Sequence, residues 1–383
     1  MAASNSFDMA VIGLGVMGSA ALAALARRGR RVLGLDQFVP GHDRGSSHGE
    51  TRIIRLGYFE HPSYVPLVRA AIPLWRALER EAGEPLLQVT GIIELGAPDS
   101  ELVAGTLRSA RQHALPHEVL DAAAVMRRFP AFRVPPDFVG VFQPEGGVLA
   151  AEPAVRAHAA LAQAAGAELR TGETVRALAP SSGGVRIVTD RGTIEAGHVI
   201  VSPGPWIKAL LPDLPVPIRV TRQVLGWFAA TDPALFGRDR CPVFMVETAD
   251  GIFYGFPAGP KPGIKFAKHH HADETADPAT PARPPGDADE ALLRGALAAH
   301  VPAANGRLLD AKACLYTMAP DGDFIIDRLS ECPQIIVASP CSGHGFKFAP
   351  AIGEILGDLV TAGESRHDIT RFSLERFASG QGN

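Results

Sequence analysis

Four cysteines in 383 residues, with no Cys-x-x-Cys pair among them, are too few and too scattered for a disulfide scaffold, so a reduced, cytoplasmic setting is expected. No apolar run reaches the roughly 20 residues that a membrane-spanning helix needs, and no membrane partner is expected. The opening MAASNSFD has no basic stretch followed by an apolar one, and the closing SGQGN matches no peroxisomal or retention address. An excess of charge of one sign is also missing. Lys plus Arg number 37 against 41 for Asp plus Glu, a net charge of −4, which gives no electrostatic reason to propose nucleic acid as a partner. No repeat of the solenoid or propeller kind is visible. What is present is an ordinary globular mixture, 46% hydrophobic and 20% charged, in a chain long enough for two or three domains.

The most informative stretch starts eight residues in. Asp8–Gly13 (DMAVIG) has the apolar run of a buried strand. Gly13-Leu14-Gly15-Val16-Met17-Gly18 follows, and then an alanine-rich helix over Ser19–Arg28 that Gly29 closes. Arg31–Asp36 (RVLGLD) is a second strand ending in an acid. Gly13 permits the tight turn, Gly15 lets backbone approach a pyrophosphate, and Gly18 lets helix and strand pack closely. The helix start offers free N–H groups to phosphates. Asp36, 18 residues past Gly18, is placed to accept hydrogen bonds from a ribose, which favours FAD or NAD over NADP. The motif alone does not separate FAD from NAD.

Further along, Tyr64–Ala82 is an amphipathic helix with Val68, Ile72, Trp75 and Leu78 on one face. Pro153–Ala165 is another. Strands are expected at Ala167–Arg170, Thr174–Leu178, Val185–Thr189, Thr193–Ala196 and His198–Val201, a pattern that returns a chain to a nucleotide-binding sheet. Gln223–Pro257 alternates apolar and polar residues as a second antiparallel sheet would. Ala272–Asp289 is polar and Pro-rich and is expected to be a surface loop. A strand at Gln334–Ala338 leads into the glycine-rich loop Ser342–Lys347. A helix follows with Ile352, Ile355, Leu356, Leu359 and Val360 at helical spacing. Two glycine-rich loops that each precede a helix are most simply read as pointing at one cofactor.

Beyond the glycine motif, three segments occur in order: Gly45-Ser46-Ser47-His48-Gly49-Glu50-Thr51-Arg52-Ile53-Ile54-Arg55; Cys314-Leu315-Tyr316-Thr317 followed by Phe324-Ile325-Ile326-Asp327; and Ser342-Gly343-His344-Gly345-Phe346-Lys347-Phe348. Together with the glycine motif they resemble the FAD-dependent amine oxidases of the monomeric sarcosine oxidase and N-methyltryptophan oxidase type, with pipecolate oxidase as a relative. The resemblance covers nearly the whole chain. It implies FAD, and an α/β architecture of the glutathione-reductase/DAO type: a Rossmann-like FAD-binding domain and a substrate domain on a mixed or antiparallel sheet. The expected division is a discontinuous FAD-binding domain over 6–92, 148–216 and 306–375, and a substrate domain over 93–147 and 217–305. A monomer is the family-based expectation.

The resemblance also implies roles. Cys314 would bond the flavin 8α-methyl group as a thioether; a buried structural thiol is the plain alternative, and it is the expectation for Cys241, Cys332 and Cys341. Gly13, Gly15, Val16, Met17, Gly18, Asp36, Ser46, Ser47, His48, Thr51, Arg52, Gly343, Gly345, Phe346 and Lys347 would line the cofactor site. Arg55 and Lys347 would hold a substrate carboxylate, a guanidinium fork and an ammonium being suited to one. Arg52 would lie near the flavin ring. Lys265 would promote the reaction with O2, since a fixed cation stabilises superoxide charge. His269 would lie by the substrate amine, with Tyr254, Met245, Tyr316 and Gly343 around it. The run His269-His270-His271 has no acidic or cysteine partner at metal-site spacing, and no metal is expected. The sequence departs from the sarcosine-oxidase pattern in Ser47-His48-Gly49-Glu50, where His-His-Gly-Asp is usual, and in Cys341, where an apolar residue is usual. The implied activity is oxidation of a small secondary amine, sarcosine-like or a cyclic acid such as pipecolate or proline, with O2 as acceptor. A flavin dehydrogenase with another acceptor and a non-catalytic flavin-binding protein are the alternatives.

Overall fold

The structure is a computed structural model that describes residues 5–378; the first four and last five residues, which carry part of the targeting expectations, lie outside the described residues. Its first sheet places Ser6–Ile12 between Val32–Asp36 and Gly192–Val201, parallel to both. Glu168–Thr171 extends it beyond Val32–Asp36, and Cys332–Ser339 runs parallel to Gly192–Val201. Val32–Asp36 is buried at all five residues, which is why its sequence is nearly all apolar. The strands expected at 193–196 and 198–201 are one continuous strand, Gly192–Val201, because it pairs with partners along its whole length.

Helices Val16–Arg27, Ala151–Ala164 and Ala349–Ala362 pack together over this sheet. The first is buried from Val16 to Ala26, as a helix apolar on all sides must be. It begins three residues earlier than the sequence suggests, because Val16 to Gly18 already have helical backbone and Gly15 is the cap. Helix crossing is close: a Cβ on Gly353 would lie 2.7 Å from Ala20 O.

A second sheet has the order Leu308–Met318, Arg219–Phe228, Ile264–Lys268, Gly251–Gly255, Val243–Thr248, Ile92–Gly96, Val139–Gln143, Glu118–Asp121. All its pairings are antiparallel save Val243–Thr248 with Ile92–Gly96. Leu308–Met318, which the expected division puts in the FAD-binding part, bonds along Arg219–Phe228 in this second sheet and so carries Cys314 and Tyr316 into it. A small third sheet joins Thr51–Ile54 to Gly147–Ala150.

The expected loop Ala272–Asp289 needs one correction. Its end is the start of the helix Asp287–His300, and Asp289 is buried. Asp289 accepts the Gly286 N–H at 2.9 Å and pairs with the buried Arg222, so a local polar pattern concealed a cap and an ion pair. Among the described residues no helix is long and apolar enough to cross a membrane.

Candidate active site

A cavity of about 590 Å³ runs from the first glycine turn, along the end of the first sheet, to the face of the second. It draws its walls from all the separated motifs: Gly13 and Asp36, Ser47 and Arg52, Cys314 and Tyr316, Gly343 and Lys347.

Its nucleotide end is a backbone cradle. Gly13 has φ +88°, and a Cβ there would lie 2.3 Å from Ser202 O. Gly15, by contrast, would meet only the Ser47 hydroxyl, at 3.4 Å, so its backbone stays open to the cavity. Gly18 does not line the cavity; it packs the helix on the turn, where a Cβ would sit 1.7 Å from Gly13 O. Val16 and Met17 line the wall, and the Val16 N–H donates to Ser47 Oγ at 3.2 Å. Asp36 accepts the Leu14 and Phe38 N–H groups at 2.6 and 2.7 Å. Burial pushes its carboxyl up, and those two bonds oppose the rise. Gly345 and Phe346 bring the second helix start to the same wall, Gly345 lying near the end of the Met17 side chain. Helix N-termini and bared N–H groups of this kind fit a dinucleotide pyrophosphate.

Midway, cations surround a thiol. Cys314 is buried and lines the cavity. Arg52 reaches it with Nη2 4.0 Å from Sγ, while the same nitrogen donates to Ser46 O at 2.7 Å and Nη1 donates to Thr51 O at 2.8 Å. Burial works against ionisation of Cys314, but His48, Arg52 and Lys265 bring its thiol down to about 7. Cys241 and Cys341 show the contrast: burial pushes them up to about 12 and about 11. Lys265 and His48 lie behind the cavity wall, not on it. Lys265 Nζ donates to Gly49 O, Thr51 O and Thr51 Oγ1 at 2.7, 2.8 and 3.0 Å, which uses all three of an ammonium's protons. Burial, and then Arg52, push it well below the usual lysine range.

The far end gathers Arg55, Lys347, His269, Tyr254, Tyr316 and Met245. Arg55 is buried over the rings of Tyr58 and Phe59 and donates to both carboxylate oxygens of Glu60. Lys347 donates to His344 O at 2.7 Å and faces Tyr58 Oη at 3.4 Å. Burial and Arg55 push Lys347 well below its ordinary value. His269 Nδ1 lies 3.4 Å from Tyr316 Oη, and burial, then His270 and His344, keep its imidazole neutral at pH 7. Only glycine fits at 343, where φ is +80° and a Cβ would lie 2.5 Å from the Tyr316 ring.

Sequence reasoning missed Glu60, Gln143 and Glu94. Gln143 Oε1 accepts the Gly57 N–H at 2.6 Å and its Nε2 donates to Glu94 at 2.9 Å, so residues from two distant strands brace the Arg55 loop. No local pattern marks them. Also missed was Glu152, whose carboxylate accepts the Gly49 and Glu50 N–H groups and shapes the turn behind Cys314.

A dinucleotide cradle that opens onto a cation-lined pocket defines a flavin- or nicotinamide-dependent oxidoreductase, and the family model described as FAD dependent oxidoreductase matches residues 8–359. The chain is 41% identical to the monomeric sarcosine oxidase of Streptomyces avermitilis over 98% of this chain and 99% of that one. It is 40% identical to the N-methyl-L-tryptophan oxidase of Yersinia pestis, over 97% and 99%. Its fold matches NikD, described as an unusual amino acid oxidase essential for nikkomycin biosynthesis, with TM-score 0.84 and 30% identity over 96% of this chain and 97% of that one. The chain belongs to the monomeric sarcosine oxidase and N-methyltryptophan oxidase family of FAD-dependent amine oxidases.

Proposed function

We propose that the chain oxidises small secondary amino acids, of the N-methyl class that sarcosine represents, at the bond between nitrogen and its neighbouring carbon. The observation that carries this reading is the meeting of Arg55 and Lys347 with His269, Tyr254 and Tyr316 in one cavity continuous with the nucleotide cradle. When bound, FAD supplies the acceptor for a hydride equivalent from the substrate and passes the electrons to O2, which leaves as H2O2. The chain's own residues do the rest. Arg55 and Lys347 hold the carboxylate. The same cations lower the pKa of the substrate amine, so that it reacts in its neutral form. The neutral His269 imidazole accepts an amine N–H, and Tyr316 orients that imidazole. Tyr254 and Met245 close the apolar side. Water hydrolyses the released imine to an aldehyde and a primary amine. Arg52 sets a guanidinium where negative charge develops during O2 reduction, and Lys265, anchored behind the wall, acts on that charge through its field and not as a direct donor. Cys314, its thiol brought down to about 7, would hold the flavin as a thioether.

An anaerobic bleaching screen with sarcosine, N-methyltryptophan, L-pipecolate and L-proline tests the reading. Loss of the flavin absorbance band with an N-methyl amino acid is expected, followed by its return and peroxide formation on admitting air. Absence of bleaching by all four would overturn it. Bleaching without oxygen uptake would replace the oxidase with a dehydrogenase.

A further inference from the structure

Beneath the Arg55 loop lies an acid that the proposed reaction does not use. Glu94 is 0% exposed, in the strand Ile92–Gly96. Its register partner is Met245, which lines the cavity, and paired residues share a face of a sheet. Glu94 therefore lies on the cavity side, under the loop that carries Arg55 and Glu60. Its Oε2 accepts from Gln143 Nε2 at 2.9 Å. Its Oε1 has no hydrogen-bond partner among the described residues.

The charges of this cluster decide its behaviour. Arg55 and Glu60 face Glu94 from the loop, Gln143 from Val139–Gln143, and Thr106 from the helix Glu101–Gln112; Lys347 acts on it from the C-terminal glycine loop. That is two basic groups and two acids. A substrate carboxylate entering beside Arg55 and Lys347 makes three acids to two bases, in a buried site where unbalanced charge is costly. A proton must then be taken up, either by one of the acids or by Lys347, which burial and Arg55 also push toward its neutral form. Glu60 is held in its charged form by Arg55, against the effect of burial, and by His344 and Lys347. Arg55 acts on Glu94 too, but there burial outweighs it. We propose that Glu94 is the proton-taking residue of carboxylate binding: for each carboxylate that enters beside Arg55 and Lys347, one proton moves from solvent onto Glu94. This rests on the reading that the substrate carboxylate sits at Arg55 and Lys347. It makes Glu94 a positioning residue that never touches substrate. Burial, which lifts Glu94 to about 7 against the pull of Arg55, makes the uptake measurable near neutral pH.

The test is calorimetric titration of the holoenzyme with methoxyacetate, a carboxylate without an amine, in buffers of different ionisation enthalpy. Expected uptake is about 0.9 proton per carboxylate bound at pH 8 and about 0.1 at pH 6, with affinity falling up to about tenfold per pH unit above pH 7. In Glu94→Gln, which keeps the shape and cannot ionise, uptake vanishes at both values and affinity is flat between them. Binding to the wild type without uptake at pH 8 would overturn the inference, and so would undiminished uptake in Glu94→Gln. The wild-type proton count decides the matter if the variant fails to fold. Failure of the underlying reading looks different: methoxyacetate would not bind, or would bind equally well to Arg55→Met, and the inference would fall with it.

Discussion

Arg55 Nη2 donates to both carboxylate oxygens of Glu60, at 2.6 and 2.7 Å. The guanidinium that would take a substrate carboxylate is thus held by a carboxylate of the chain itself. Removing one partner of such a pair leaves a buried charge without compensation. Glu60→Gln should lower the stability of the ligand-free enzyme by about 2–3 kcal/mol, somewhat less than a fully buried pair because Glu60 is 19% exposed. A carboxylate ligand should then restore more stability to Glu60→Gln than it adds to the wild type. Thermal unfolding with and without methoxyacetate measures this; equal ligand-induced shifts would refute the competition.

Cys314 is expected to hold the flavin through acid precipitation, leaving the pellet yellow. Cys314→Ser should release all colour to the supernatant. Because His48 helps bring the thiol down to about 7, His48→Ala should move it back up. Alkylation of the apoprotein by iodoacetamide, followed against pH, should show its midpoint displaced upward in that variant. An unmoved midpoint would mean that Arg52 and Lys265 suffice.

Lys265 is anchored to Gly49 and Thr51, and a methionine there keeps the length and loses the donors. Lys265→Met should slow reoxidation of reduced enzyme by O2 by about 10²–10³-fold, the size of losing a preorganised electrostatic group near the reacting centre. Anaerobic reduction by the amine should change by less than that. Stopped-flow traces of the two half-reactions separate the effects, and unchanged reoxidation would remove Lys265 from the oxygen reaction.

Asp289 and Arg222 test the region where the loop expectation failed. Both are buried, and Arg222 donates to both Asp289 oxygens, at 2.9 and 2.8 Å. Asp289→Asn should cost about 2–4 kcal/mol at pH 7 by leaving the buried Arg222 with only the more exposed Glu274 as a counter-charge. Burial works against the carboxylate, but Arg222, the Gly286 N–H and His271 hold it well below the usual range. A depressed carboxyl contributes its stability above the unfolded-state value and loses it as pH falls. The gap between wild type and Asp289→Asn should therefore be constant from pH 8 to about pH 5 and narrow below about pH 4. Urea unfolding across that range reads it out, and a gap independent of pH would show that the charge of Asp289 is irrelevant.

How much of this was legible beforehand depends on the reach of each interaction. The glycine turn, the helix after it and Asp36 lie within 24 residues and are set by local geometry, so the sequence showed them in order. Cys314, Arg55 and Lys347 were identified by resemblance, not by any property of their own segments. Glu60 was invisible because a single acid in a loop has no pattern. Asp289 was misplaced because a helix cap in a Pro-rich stretch reads as loop until its partner Arg222 is known.

The sequence by itself determined the nucleotide cradle, and its family resemblance implied the fold class and the chemical types available to the pocket. The cradle was legible because turns, helix starts and buried strands depend on neighbours a few residues apart. Only the tertiary structure decided that Arg55 is occupied by Glu60, that Glu94 lies beneath it with one carboxylate oxygen left without a partner among the described residues, and that Lys265 stands behind the wall with its protons spent on Gly49 and Thr51. The physical reason is that burial and pairing, which set whether a side chain is charged and free to act, come from strands far apart in the chain that meet only in the folded sheet.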